Sequence, residues 1–99
     1  WGIRWEGDAM AGGHTKHVGT DTQYVALYSP GTATTAQNST YEVTGGLNHI
    51  AVVVDDIDAT EEAIKNHGFE TGNHGDYEPG RRFYFHDHDG IEFEVVQYD

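Results

Sequence analysis

Histidine and carboxylate side chains are the residues of this sequence best suited to chemistry. Near the end of the chain, in FYFHDHDGIEFEVVQY (83–98), His86 and His88 precede Glu92 and Glu94. Imidazole nitrogen and carboxylate oxygen bind divalent metal ions and transfer protons. The 99 residues include seven histidines and no cysteine, so thiolate metal sites and disulfides are excluded. The sequence has no nucleophile motif and no glycine-rich phosphate loop, so acyl and phosphoryl transfer lack support.

The charge of the chain excludes some partners. Seventeen acidic residues against five basic ones give a formal net charge of -12, which repels a polyanion over the whole surface. We therefore expect neither nucleic acid nor an anionic membrane as a partner. No apolar run approaches the roughly 20 residues of a membrane span, and no signal segment opens the chain, so we expect a soluble, cytoplasmic protein. Strand-like residues follow Trp1 directly, which leaves open whether others precede them in the native protein.

The elements that must position these side chains fall into two halves. Alternating side chains predict strands over 2–6, 14–18 and 22–29, and then over 47–54, 69–77, 82–86 and 91–98. A helix over 58–67 is predicted by Asp58 as N-cap, Glu61 at its third position and Gly68 just beyond its end. The segment 31–45, rich in Thr, Ser, Ala and Gly, is typical of a linker. The second half is thus strand, helix, strand, strand, strand.

Side chains that alternate along a strand lie on opposite faces of the sheet. One face of the second-half sheet is predicted to be apolar and covered by the helix: Ile50, Val52, Phe83, Phe85, Phe93 and Val95. The opposite face is predicted to carry His49, Arg82, Tyr84, His86, Glu92, Glu94 and Tyr98. Such a face is either open to water or lines a small-molecule cavity. Leu47, Val53 and Val96 lie among the polar groups and favour the cavity.

The second half resembles a known family. GLNHIAVVVDD (46–56), a helix ending in NHGF (66–69), then FYF (83–85) and DHDGIEFEVV (87–96) resemble the second module of the glyoxalase/bleomycin resistance protein/extradiol dioxygenase, or vicinal oxygen chelate, superfamily. The resemblance implies an α+β fold of βαβββ modules, with a curved mixed sheet around a pocket. In that superfamily, first-strand His or Gln and last-strand Glu commonly hold a divalent metal. Those positions fall on His49 and Glu94.

The first half resembles the last three strands of a first module. WEGDAMAGGHTKHVGTDTQYVALYSP (5–30) carries this likeness, while the opening strand and helix of that module are absent from the 99 residues. We therefore divide the chain into a partial first module (1–30), a linker (31–45) and a complete second module (46–99), together one structural domain. Alignment of VALY (25–28) with VVQY (95–98) puts Tyr24 opposite Glu94. Half of a four-ligand site is thus missing.

The resemblance implies a small-molecule-binding protein, with three alternatives. As a metal-dependent lyase, isomerase or dioxygenase, it would use His49 and Glu94 for Mn, Fe, Zn or Ni, with Glu92 or Tyr84 assisting proton transfer. A third ligand would come from His86, Glu92, His17 or a second chain. The second alternative is a metal-free protein that sequesters an aromatic or drug-like compound. The third is an N-terminally truncated fragment without activity. The remaining predicted pocket residues are Tyr24, Arg82 and Tyr98. An incomplete module leaves a sheet edge unpaired, so we expect a homodimer.

Overall fold

The computed structural model describes residues 1–31 and 41–99, apart from the side chain of Ala11. Most of the predicted linker, 32–40, lies outside the described residues, and 41–45 runs through turns. The chain forms two compact units, Trp1–Thr35 and Ala36–Asp99. Within the described residues, no helix has the length and apolar character needed to cross a membrane.

The first unit is a three-stranded antiparallel sheet. Its strands are β1 (Gly2–Asp8), β2 (His14–Gly19) and β3 (Tyr24–Ser29), in the order β1-β2-β3. The three strands predicted for this half are confirmed, with small shifts at their ends. A short 3-10 helix, Met10–Gly12, makes the connection between the first two strands.

The second unit is a βαβββ module. It contains β4 (Ile50–Val53), α1 (Ile57–Asn66), β5 (Thr71–Tyr77), β6 (Gly80–His86) and β7 (Glu92–Tyr98). The sheet order is β4-β7-β6-β5, and β4 runs parallel to β7 while the other neighbours are antiparallel. The helix is the crossover that a parallel strand pair requires. The α+β prediction with a mixed sheet is therefore confirmed.

The N-cap of the helix lies two residues before the predicted cap. Asp56 is the N-cap, and its carboxylate accepts a hydrogen bond of 3.0 Å from the backbone N–H of Ala59. The prediction of Asp58 as N-cap is wrong, because that side chain lies in the first turn and accepts from Arg81 at 2.7 Å. The C-terminal prediction is confirmed: Gly68 has φ +91°, a left-handed conformation that side chains rarely adopt.

The core of this unit lies between the helix and the sheet. Ile57, Phe83 and Val95 are at most 3% exposed, and Val54, Ile64 and Phe85 pack against them. Burial of each large apolar side chain stabilises the fold by about 1.5–3 kcal/mol. Three of the six residues predicted for the helix-covered face belong to this cluster. The other three are only partly buried: Ile50, Val52 and Phe93.

The helix is also tied to β5 through Glu61. Its carboxylate accepts from the Thr71 hydroxyl and lies 2.6 Å from His74 Nε2 and 3.6 Å from Lys65 Nζ. Burial alone would raise the pKa of Glu61. The hydrogen bonds from Thr71 and His74, together with the charges of His74 and Lys65, outweigh burial and hold that pKa below its ordinary value of 4.5.

Candidate functional site

The polar face of the second unit is assembled by the pairing of β6 with β7. Tyr84 lies directly opposite Glu94, and His86 lies opposite Glu92. Residues opposite each other in an antiparallel pair share a face, so these four side chains project to the same side. Phe83, which lies opposite Val95, projects to the helix side. His49 joins the polar face from the residue just before β4.

Glu94 is the centre of this face. This residue is only 7% exposed, and both of its carboxylate oxygens are engaged. Oε1 accepts from Arg82 Nη1 at 2.8 Å, and Oε2 lies 3.0 Å from His49 Nε2. A buried carboxylate is costly unless it is paired and hydrogen-bonded, and these two contacts meet both requirements.

The His49 ring is held from both ends. Its Nδ1 lies 2.6 Å from Asn48 Oδ1, and its Nε2 faces Glu94. A neutral imidazole carries one N–H and therefore donates to one of these two oxygens at a time. The Tyr84 ring meets the His49 ring edge-on, with centroids 5.9 Å apart. The orientation of His49 is thus set by three neighbours on the same face.

Arg82 is fixed by the turn that precedes β6. Its Nη2 donates to three backbone carbonyls, those of Tyr77, Glu78 and Gly80, at 3.1–3.2 Å. Its guanidinium also lies 4.1 Å from the centroid of the Tyr77 ring, within the range of a cation–π contact. In the described part of the chain, Arg82 Nε is the one buried side-chain polar atom without a hydrogen-bond partner.

Tyr84 is a protonated phenol at neutral pH. Burial raises its pKa above the ordinary 10.0, and the hydrogen bond with Tyr77 and the negative charge of Glu94 act in the same direction. A phenol with a raised pKa donates hydrogen bonds but is a poor proton acceptor. The one O–H of Tyr84 is already engaged with Tyr77, so its aromatic ring is the part of the side chain that is open to a ligand.

Glu92 is the second buried carboxylate of the face. It is 5% exposed, accepts a hydrogen bond from the Tyr41 hydroxyl, and has His86 Nε2 at 3.5 Å from its Oε2. The His86 side chain is 60% exposed and carries a positive charge only when protonated. Within the described residues, neither lysine nor arginine makes an ion pair with Glu92, whereas Glu94 has Arg82.

The remaining predicted residues are Tyr98 in the second unit and His17 and Tyr24 in the first unit. Tyr98 ends β7 opposite Gly80 and is 57% exposed. His17 and Tyr24 belong to the first unit, where their rings stack with centroids 4.2 Å apart. Trp5 approaches the same histidine at 5.1 Å, so the first unit carries its own aromatic cluster.

Three contributors to the face were missed by the sequence reasoning. Asn48 contacts the His49 ring, and the Tyr77 ring lies against the Arg82 guanidinium. The Tyr41 hydroxyl donates a hydrogen bond to Glu92. Asn48 is detectable in principle, because it is adjacent to His49. Tyr41 lies in the segment predicted as a linker, and nothing in its neighbourhood pattern points to Glu92, 51 residues away.

The side chains around Glu94 do not fit a tightly bound divalent metal. His49 and Glu94 would be the ligands, yet they contact each other and the Arg82 guanidinium occupies the second carboxylate oxygen. Within residues 1–31 and 41–99, no group of three or more His, Asp or Glu side chains is placed to hold a metal ion. Catalytic zinc sites generally use three protein ligands.

The second unit is thus a βαβββ module of the α+β class, with one helix-covered face and one face that carries polar side chains. A family model described as "Glyoxalase/Bleomycin resistance protein/Dioxygenase superfamily" matches residues 1–95, and the chain belongs to this superfamily.

Two solved structures share the fold. The crystal structure of SMU.1112c is 17% identical, has a TM-score of 0.77, and is matched over 95% of this chain and 77% of that one. A glyoxylase/bleomycin resistance protein/dioxygenase domain from Frankia sp. EAN1pec is 21% identical, has a TM-score of 0.75, and is matched over 100% of this chain and 79% of that one. No curated protein matches the sequence significantly.

Proposed function

We propose that this protein binds a small aromatic or drug-like molecule on the polar face of its second unit, without a metal ion. The observation that supports this function best is the Glu94 carboxylate, which is buried and already shared between Arg82 and His49. The positive charge that a metal would supply is supplied here by a guanidinium.

Electrostatics favours this proposal over the metal-dependent enzyme. Two unit charges about 4 Å apart interact by about 4 kcal/mol at an effective dielectric constant of about 20, and a divalent ion doubles that repulsion. A metal at Glu94 would therefore be opposed by Arg82 or would have to displace it. Displacement of Arg82 would also break its three carbonyl hydrogen bonds and its contact with the Tyr77 ring.

The face offers space as well as polar groups. A cavity of about 380 Å³ lies between β5, β6 and the start of β7, with Gly72, Tyr84, His86 and Glu92 among its lining residues. This volume is within the range of small-molecule pockets, about 300–1,000 Å³. The Tyr84 ring offers a surface for an aromatic group.

A thermal-shift panel separates this proposal from the metal enzyme. We expect the melting temperature to be unaffected by Mn²⁺, Fe²⁺, Ni²⁺ or Zn²⁺, in the wild type and in His49→Ala alike. A saturable increase with one of these ions that disappears in both His49→Ala and Glu94→Gln would overturn the metal-free function. Asp76→Asn, an exposed acid elsewhere in the module, controls for nonspecific ion binding.

Binding itself is tested by NMR. Aromatic fragments are titrated into the ¹⁵N-labelled protein, and we expect the amide shifts to change around Tyr84, His86 and Glu92. Shift changes confined to the opposite, helix-covered side of the sheet, or no changes with any fragment, would contradict the proposed location.

A further inference from the structure

The two buried carboxylates of the polar face have different kinds of partner. Glu94 and Glu92 are 7% and 5% exposed and lie one alternation apart on β7. Glu94 has a permanent cation, the Arg82 guanidinium at 2.8 Å. Glu92 has a phenol and an imidazole instead, Tyr41 and His86.

This difference leaves a charge in the cavity without a fixed counter-charge. A tyrosine hydroxyl satisfies a lone pair but carries no charge, and His86 is a cation only when protonated. Burial of an ionised carboxylate without an opposite charge is expensive, and an arriving cation recovers part of that cost. A positively charged ligand would therefore be stabilised by binding next to Glu92.

The cavity beside Glu92 has the lining that such a partner requires. Two carboxylates, those of Glu70 and Glu92, line it together with the Tyr84 ring, and no lysine or arginine is among its lining residues. The faces of tyrosine rings attract organic cations, which adds to the charge attraction. The overall net charge of -12 draws cations toward the molecule as well.

The wall of this cavity also departs from regular sheet geometry. The pairing of β5 with β6 shifts between Gly72 and Gly75. Asn73, which lies in that interval and lines the cavity, has a positive φ of 52°. Bulges and left-handed residues in strands occur preferentially beside functional sites.

From this geometry we infer that the ligand is an organic cation, an amine or amidine on an aromatic body, whose N–H groups bind the Glu92 carboxylate inside the cavity. The inference rests on the proposed metal-free binding function and specifies its ligand class. Glu92 acts here as a binding residue, and the ligand ammonium is the counter-ion of its carboxylate. The Arg82–Glu94 pair, already neutral overall, takes no part in selecting the charge.

The experiment compares three probes with the same aromatic body: 2-naphthylmethylamine, 2-naphthylmethanol and 2-naphthoate. Binding to the full chain is measured by isothermal titration calorimetry and by NMR shift changes. We expect the amine to bind at least about tenfold more tightly than the alcohol, and the carboxylate to bind most weakly. Glu92→Gln is expected to bind the amine and the alcohol equally.

The matched control is Glu62→Gln, which removes the same charge from the exposed helix surface. It is expected to keep the amine preference, so a loss there would mean that only net charge matters and would overturn the role of Glu92. Equal wild-type binding of amine and alcohol would overturn the ligand class while leaving the binding function intact. Absence of binding by all three probes would overturn both. Should Glu92→Gln fail to fold, the wild-type ranking and the shift changes at Glu92 and His86 still decide the question.

Discussion

Loss of the Arg82 side chain is expected to be among the most destabilising changes on the polar face. In Arg82→Met, Glu94 stays buried, and among the described residues His49 is its one remaining partner. Both side chains of the Arg82–Glu94 pair are 10% exposed, so water cannot compensate for the lost charge. Removal of one partner of a buried pair costs about 3–5 kcal/mol, a large fraction of the roughly 5–15 kcal/mol that stabilises a small domain.

The neighbouring arginine provides the control. Arg81 makes an ion pair of similar length, 2.7 Å, with Asp58, but this pair is on the surface, with side-chain exposures of 49% and 73%. Exposed pairs contribute little, so Arg81→Met is expected to shift the urea midpoint far less than Arg82→Met. The double variant Arg82→Met/Glu94→Gln is expected to recover much of the loss, because it leaves no unpaired buried charge.

Urea unfolding followed by far-UV circular dichroism is measured for the wild type, Arg82→Met, Glu94→Gln and the double variant, and this double-mutant cycle gives the coupling energy between Arg82 and Glu94. Arg81→Met is measured beside them as the control. Two results would refute the reasoning: an Arg82→Met variant no less stable than Arg81→Met, or a double variant whose loss equals the sum of the single losses.

Three further predictions concern acid stability, the helix cap and assembly. The pKa of Glu61 lies below 4.5 in the folded chain, so its contribution to folding stability is present above that pH and is lost as the pH falls through the folded pKa. The melting temperature of Glu61→Gln should therefore fall less on acidification than that of the wild type. An unchanged pH profile would contradict this. Asp56→Ala removes the N-cap and should cost about 1 kcal/mol in urea unfolding, more than Asp58→Ala; equal effects would mean that the cap assignment is wrong. Light scattering should give the mass of a homodimer, and a monomer at high concentration would contradict that prediction.

Alternation along the strands is the part of the fold and the site that the sequence predicts best. Because side-chain direction in a strand depends only on parity, one-dimensional information brings His49, Arg82, Tyr84 and Glu94 to one face, and the structure places them in contact or near contact. The helix is predicted almost to the residue, since its acidic N-terminal residues and its C-terminal glycine are local signals.

The sequence does not predict which of two similar residues makes a given contact, nor contacts between residues that are far apart along the chain. Asp56 and Asp58 are both able to cap a helix, and the Arg81 side chain on β6 engages the second of them, which no local pattern reveals. The Tyr41 contact to Glu92 spans 51 residues. The pairing of Glu94 with a guanidinium is likewise a property of the assembled sheet, and the proposed metal-free function is based on this pairing.

The position of β7 within the second unit has a consequence for biosynthesis. This strand pairs with β4 on one side and β6 on the other, yet it is translated after every other element of the unit. On the ribosome, β5 and β6 can form a hairpin early, but β4 has no neighbour to bond until β7 emerges. Glu92 and Glu94 are therefore synthesised as part of the strand that joins β4 to the β5–β6 hairpin. A chain whose translation stalls before this strand exposes β4 and the hairpin, not yet paired with each other, to proteases and chaperones.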